Sequence, residues 1–430
     1  MKRTLCILLV IIMSLSLFSC SKSEVSKSSG IVYIDGGELK YRDNKTTVSL
    51  SKLSDMPTDT TLYSYFNSPL EFCNYNEKTE RLFHPAAVTV LRPRDMMSPI
   101  SVDLCYKDMK TGTNTEVATD VHSYQVSTDG NIITYQDARA LYSVNLKTGE
   151  KIEVTSGLCD GYAASANGED VYYIINGTLT KYNYFKTEVI TEKGAKDIVL
   201  YDGKVIFYTK ANGDYDKLCA YTENGIFDIA ENPFAVKAGK NGEYFVFINS
   251  TDKRSNSGTI YKIKTTKSGF SEMTVVAEKA NRKFFEVDND GNLYHVYLED
   301  LFSESPVFYC NETVISDDQP LYQLLYASGA DKMYVAVNDT LMVVKNEKLE
   351  TVYEYKSEIK NEDDLVYEFE QIDYIVTPDG TVYIESETNV GLSYYVLTDN
   401  GPEKICENSP AYADLPKYLG IQKAPLNPAK

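Results

Sequence analysis

Three histidines, His84, His122 and His295, are the only imidazoles in the chain, and they stand far apart. A general base works within hydrogen-bond reach of its partner. These three sit in or beside strand-like runs (LYHVY around His295), so a packed or inward-lining role is expected of each. No G-x-S-x-G, H-E-x-x-H or phosphate-cradling loop occurs. Asp363 and Asp364, followed by Glu368 and Glu370, place carboxylates close together in KNEDDLVYEFEQ. Such a pair can hold calcium or divide acid and base roles, although a solvated acidic loop is the plainer reading. Glu286 to Gly291 (EVDNDG) resembles a calcium loop, but Glu286 and Tyr297 stand where an EF-hand needs Asp and a bidentate Glu, so a hairpin turn is expected. No metal and no cofactor are expected.

Of eight cysteines, Cys73, Cys105, Cys159, Cys219, Cys310 and Cys406 lie beyond the N-terminal region. They show neither CxxC spacing nor a zinc constellation, and buried thiols are expected rather than a disulfide framework. The 35 tyrosines suggest sugar stacking, but most alternate within strand-like runs such as Val171-Tyr172-Tyr173-Ile174. There β propensity accounts for them, as large packing residues.

The elements that carry these residues are clearest in Val121 to Gly157, VHSYQVSTDGNIITYQDARALYSVNLKTGEKIEVTSG. Four β-branched and aromatic runs are separated by Asp129-Gly130, Asp137-Ala138-Arg139 and Thr148-Gly149, which predicts a four-stranded antiparallel meander. The first turn recurs as Ser165-Ala166-Asn167-Gly168, Tyr201-Asp202-Gly203, Lys240-Asn241-Gly242, Asp290-Gly291 and Asp379-Gly380. A repeat of about 35–50 residues with four strands each favours a propeller over a solenoid. The fold class is therefore all-β, a β-propeller of four-stranded antiparallel blades. Units ending near Gly157, Gly194, Pro233, Ala280, Gln319, Glu358 and Ser409, with an irregular first one from Leu70 to Asp120, favour eight blades; seven is the alternative. Residues 31–54 either complete the first blade or close the ring on the last.

Alternating hairpins put the first and third turns of every unit at one end and the second hairpin and inter-unit link at the other. The first end is uniformly short. The second varies, with Lys210–Lys217, Asn249–Gly258, Leu298–Pro306 and Glu385–Gly391 read as long loops. Loops that exceed the repeat's minimum are where a rigid scaffold tends to carry function. Asp214, Tyr215, Asp216, Lys253, Arg254, Glu299, Asp300 and Phe302 are the candidate contact residues, and Asp363 and Asp364 fall on the same end.

Met1 to Cys20 has a basic start, an apolar run from Leu5 to Leu17, and Leu17-Phe18-Ser19-Cys20 at its close. This resembles the bacterial lipoprotein signal, which implies cleavage after Ser19 and acylation of Cys20. Residues 1–19 are then a signal peptide, 20–30 the lipidated cysteine and a Ser/Lys-rich tether, 31–410 the propeller, and 411–430 a tail with no clear strand. Loss of Lys2 and Arg3 takes the formal charge from −19 to −21. So acidic a body argues against nucleic acid and against an intrinsic hold on anionic lipid, which leaves the membrane contact to the lipid.

The [Ser/Thr]-x-[Asp/Asn]-Gly turn and the LYSVNLKTGE third strand resemble TolB-like and WD40-like propeller repeats, closest to the propeller lipoproteins of bacteria. The similarity covers about Val102 to Ile405. The chain has no tryptophan, so the Trp-Asp dipeptide of WD40 blades is missing. The resemblance implies a lipid-anchored module on the extracytoplasmic side of a bacterial membrane, binding a protein or peptide or serving as a scaffold. A glycan-binding or glycan-processing surface protein is the alternative, and a structural or sensory subunit of an envelope complex is a third. Hydrolases with such propellers add a catalytic α/β domain, and with no catalytic motif found the chain is expected not to be an enzyme.

Overall fold

The computed structural model describes residues 30–35, 38–43, 46–52, 69–90, 100–184, 186–251, 255–297, 306–317, 319, 321–356, 370–388, 391–409 and 417–418. The expectations for Cys20, the signal peptide and tether, and for Lys253, Arg254, Glu299, Asp300, Phe302, Asp363 and Asp364, lie outside these residues.

Alternation and turn chemistry make the strands. In the reference unit, Ser123–Val126, Ile132–Gln136, Ala140–Asn145 and Lys151–Ser156 pair in sequence order as an antiparallel sheet. Its first turn is held by its own side chains. Asp129 Oδ1 accepts from Ser127 Oγ at 2.6 Å and from the Asn131 amide at 3.1 Å. Gly130 takes φ 69°, which a residue with a Cβ adopts at a cost. Neighbouring turns are also locked together, since the Thr128 amide donates to the Ala166 carbonyl at 2.7 Å and Arg81 Nη1 to the Gly130 carbonyl at 3.0 Å. The short end of the ring is thus spent on folding.

The described strands form eight antiparallel sheets, the number favoured from the sequence. Seven have four strands. The other has eight: the long strand Thr274–Val287 ends one meander and begins the next without a break, which makes seven, and the short strand Gly269–Phe270 pairs on the flank. The Lys279 φ of 50° and a register shift between Ala280 and Phe285 mark the corner. In chain order the described strands make eight four-stranded meanders, and a further four-stranded sheet closes the ring.

Apolar side chains fill each gap between successive meanders. Phe83 and Val102 meet Ile133 and Tyr135, for instance, and Phe207 and Leu218 meet Tyr244 and Val246. Among the described residues nine such clusters occur, and one of them joins Tyr383 and Val396 to Ile31 and Tyr33, so the ring closes. Tyrosines serve as the large spacers, with Tyr208, Tyr244, Tyr374, Tyr383 and Tyr394 each under 2% exposed. Burying a side chain of this size contributes roughly 1.5–3 kcal/mol.

Closure differs from both sequence alternatives. Ile31–Asp35, Glu38–Arg42 and Thr47–Lys52 build a sheet of their own, completed by Lys417–Tyr418 on the free edge of Ile31–Asp35. The stretch expected to hold no strand therefore supplies the innermost strand of the closing sheet. Two residues are too few for a periodicity signal, and their partner lies almost a whole chain away. Strands from both termini meet in this one sheet, and Arg42 Nη2 ties it to Glu403 of the last full meander at 2.6 Å.

Candidate functional site

The first strands of successive meanders touch one another: Gly161–Ala164 lies against Ala195–Tyr201, that strand against Pro233–Ala238, and Pro233–Ala238 against Thr274–Val287. They form the inner wall of the ring. Each begins just after an inter-unit link, or for Thr274–Val287 turns inward at the corner near Ala280, so the opening residues of these inner segments gather at the link end.

A cleft of about 240 Å³ opens there across three consecutive meanders. Its walls are largely fixed by hydrogen bonds. Gln125 donates from Nε2 to the Tyr162 carbonyl at 3.0 Å and accepts from the Ala164 amide at 2.8 Å, which staples one inner strand to the next. Gln136 Oε1 accepts from the Cys159 amide at 3.1 Å, and the Ser123 and Tyr162 hydroxyls lie 3.0 Å apart. Burial pushes the Tyr162 hydroxyl far above its ordinary range, so it stays protonated. Burial, with the Asp160 carboxylate beside it, pushes the Cys159 thiol up to about 12, which removes it as a nucleophile near neutrality.

Two carboxylates lie at this cleft, Asp160 and Asp197. Gly161 makes room for the second, because a Cβ there would stand 3.0 Å from Asp197 Oδ1. Partial desolvation raises the Asp197 carboxyl above its usual value, opposed by the Ile198 amide. Neither carboxylate has a cation within ion-pair distance among the described residues, as is true of most carboxylates there; the pairs that do form include Lys196 with Asp216 at 2.8 Å, Lys217 with Asp228 at 3.0 Å and Lys240 with Asp290 at 2.6 Å. Two meanders further round the ring, Arg282 and Lys283 open the inner part of Thr274–Val287, likewise without a carboxylate partner among the described residues. Between the two poles stands Phe234, 46% exposed, with the Arg282 guanidinium 5.7 Å from its ring centre.

Of the residues expected to make contacts, Asp214, Tyr215 and Asp216 are placed on the link end as anticipated, but not in a loose loop. Strand pairing continues to Asn212↔Tyr215, so Gly213-Asp214 is the tip of a long hairpin. Glu385–Gly391 is corrected in the same way, with pairing out to Thr388↔Gly391. The alternating hydrophobicity that marks strands fades in these polar stretches, while backbone pairing does not require it. Asp216 is engaged by Lys196 and belongs to the same meander as Asp197, but does not line the cleft.

Asp160, Asp197, Phe234 and Arg282 were not singled out from the sequence. Their common signal is position, since each stands within a few residues of an inter-unit link.

The histidines are not brought together. His295 is buried, stacks on Tyr309 with ring centres 5.1 Å apart, and is pushed down to about 4 by burial. His84 is buried with Nδ1 3.1 Å from the Pro85 carbonyl, and His122 lies 3.7 Å from Asp120. The calcium-like stretch is a turn in which Asp288 Oδ1 accepts from the amides of Asp290 and Asn292, and Oδ2 from Asn292 Nδ2 and the Tyr294 hydroxyl. No group of three metal-ligating side chains occurs among the described residues. No disulfide joins the six cysteines.

No family model and no curated protein matches the chain. Solved structures do. A eukaryotic initiation factor aligns over 92% of this chain and 99% of its own, with a TM-score of 0.57 and 11% identity. Dipeptidyl peptidase 4 of Porphyromonas gingivalis aligns over 84% of this chain and 65% of its own, with a TM-score of 0.51 and 11% identity. The β-propeller domain of the trilobed protease of Pyrococcus furiosus aligns over 77% of this chain and 95% of its own, with a TM-score of 0.40 and 10% identity. The chain is a β-propeller module, and it spans less than two thirds of the dipeptidyl peptidase. This corrects the expectation that the chain is not an enzyme. A peptidase shares its fold, and a propeller leaves catalytic motifs to vary or to lie elsewhere, so their absence from the sequence gives no ground for that exclusion.

Proposed function

We propose that this protein is a lipid-tethered, extracytoplasmic propeller, of the TolB-like lipoprotein kind, that binds peptide at the link end of its ring. The observation that carries the reading is the cleft between Gln125, Tyr162 and Asp197: a hydrogen-bonded pocket at the link end that presents two exposed carboxylates, Asp160 and Asp197, beside tyrosine and glutamine side chains. Extended peptides offer what such a wall lacks, namely backbone amides, a terminal ammonium and side chains to rest on Phe234. The peptidase among its structural neighbours supports a peptide-related role, and the proposal extends to peptide processing as well as binding. Cys20 anchors the body through its lipid, which keeps the link end within reach of ligands near the membrane.

The test has two arms. Cys20→Ala in cells should move the protein from the membrane fraction to the soluble one. The purified chain from residue 21, offered a mixture of tetrapeptides and pentapeptides, should retain a subset, and Asp160→Asn with Asp197→Asn should lose it; mass spectrometry of the same mixture reads any cleavage. Equal retention by the double variant would place the binding elsewhere and end the proposal.

A further inference from the structure

Independently of what the link end binds, we infer that the seam between the last full meander and the closing sheet responds to pH: in alkaline solution, ionisation of Glu385 loosens the closing sheet, and the ring opens there before the rest of it unfolds.

This joint is held differently from most others. A short link of chain usually joins one meander to the next, as Asn232 joins Gly225–Glu231 to Pro233–Ala238. The closing sheet meets the last full meander instead through Ile31 and Tyr33 against Tyr383 and Val396, and through the Arg42–Glu403 ion pair. Its C-terminal strand, Lys417–Tyr418, pairs with two residues of Ile31–Asp35.

The face turned to this seam carries a carboxyl that the fold leaves poorly satisfied. Two carboxylates are buried among the described residues, Asp202 and Glu385. Asp202 accepts from the amides of Lys204 and Val205, at 3.0 and 2.9 Å, and from the Tyr244 hydroxyl. Glu385 has no such set of donors. Asp373, Glu385, Tyr394 and Cys406 form a row across the four strands, two residues along from Tyr383 and Val396. The groups acting on Glu385 are the Asp373 and Glu387 carboxylates and the Tyr394 hydroxyl, with no cation among them. Tyr394 eases the ionisation in part, yet its buried hydroxyl makes no well-formed hydrogen bond. Tyr33, Asp35 and Lys40 approach Cys406 from the closing sheet, and Lys404 approaches it from its own strand. Lys40 is already taken by Asp35 at 2.7 Å.

Burial, and then Asp373, push the Glu385 carboxyl up to about 7. The contribution of the neutral acid is complete below about 4.5 and is lost as pH rises through about 7. Above that, the seam either holds a buried charge with no cation or opens to let water solvate it. Separation of the closing sheet solvates Glu385 while leaving the strand pairing of the other meanders intact.

The experiment reads access to the seam by thiol labelling of the full chain from residue 21. Val396→Cys places a thiol on the seam face, where the native side chain is 2% exposed. Cys406 on the same face is a second probe that needs no substitution, and it decides alone if Val396→Cys does not fold. Cys219, 1% exposed in the gap between the meanders of Gly161–Ala164 and Ala195–Tyr201, reports general unfolding. Dithiodipyridine labelling is followed site by site by peptide mass spectrometry, with Glu385 and with Glu385→Gln, and the ratio of the two rates cancels each thiol's own titration. With the opened carboxyl near 4.5 and the closed one near 7, the ratio at the seam should rise about thirtyfold between pH 5.5 and 8.5, and the ratio at Cys219 should stay flat. A flat ratio at the seam thiols would overturn the inference. So would a parallel rise at Cys219, because the loosening would then be global.

Discussion

Glu385→Gln should stabilise the protein at pH 8 and do little at pH 4.5. Glu385 lies in the second strand of the last full meander, 5% exposed, with Asp373 opposite it on one side and Tyr394 on the other. Its strand neighbour two residues back, Tyr383, packs against Ile31 and Tyr33, so this face looks into the seam where the ring closes. Burial, reinforced by the Asp373 carboxylate, pushes the Glu385 carboxyl from 4.5 up to about 7.

The sign follows from linkage. A folded pKa above the unfolded one means that the group's favourable contribution is complete below about 4.5 and is lost as pH rises through about 7. At about 1.4 kcal/mol per pH unit the loss is on the order of 3 kcal/mol above pH 8. Glutamine keeps the shape and the polar end but cannot ionise. The difference in unfolding free energy between variant and wild type, measured by urea titration across pH 4.5–8.5, should grow with pH toward that figure. A difference that stays flat across the range would refute the account, because a packing effect does not titrate.

Two further outcomes follow from the turns and the thiols. Gly130→Ala should cost more than Gly149→Ala although both glycines have positive φ, 69° and 74°. A Cβ at Gly130 would stand 2.6 Å from Thr79 Oγ1, whereas nothing lies within 4 Å at Gly149; denaturation should give about 1 kcal/mol for Gly149 and about 2–3 for Gly130, and equal costs would remove the interlocking role given to the short end. Cys219 is 1% exposed with its thiol raised to about 11 by burial and the Asp228 contact, so iodoacetamide at pH 8 should label it only after unfolding. Rapid native labelling would show that this strand opens.

Much of the architecture is legible in the chain because it is local. The alternation in Ile132–Gln136 and Asp170–Ile175, and the Asp-Gly, Thr-Gly and Asn-Gly turns, specify hairpins from a few adjacent residues, and repetition of the hairpin specifies a blade. The direction of the chain through each meander then separates a short-turn end from a link end. That much placed Asp214, Tyr215 and Asp216 at the link end, where the hairpin tip lies. The seam depends on contacts across the whole chain: Ile31↔Tyr418 carries no sequence periodicity, and the long strand Thr274–Val287 reads as two runs until the ring requires one. The candidate site was less legible for the same reason. Asp160, Asp197, Phe234 and Arg282 are ordinary residues in four different units, distinguished only by their place at the link end of successive inner strands. Distance between units is set by closure of the ring; composition and spacing determined the blades, and tertiary structure alone decided which side chains meet at the link end.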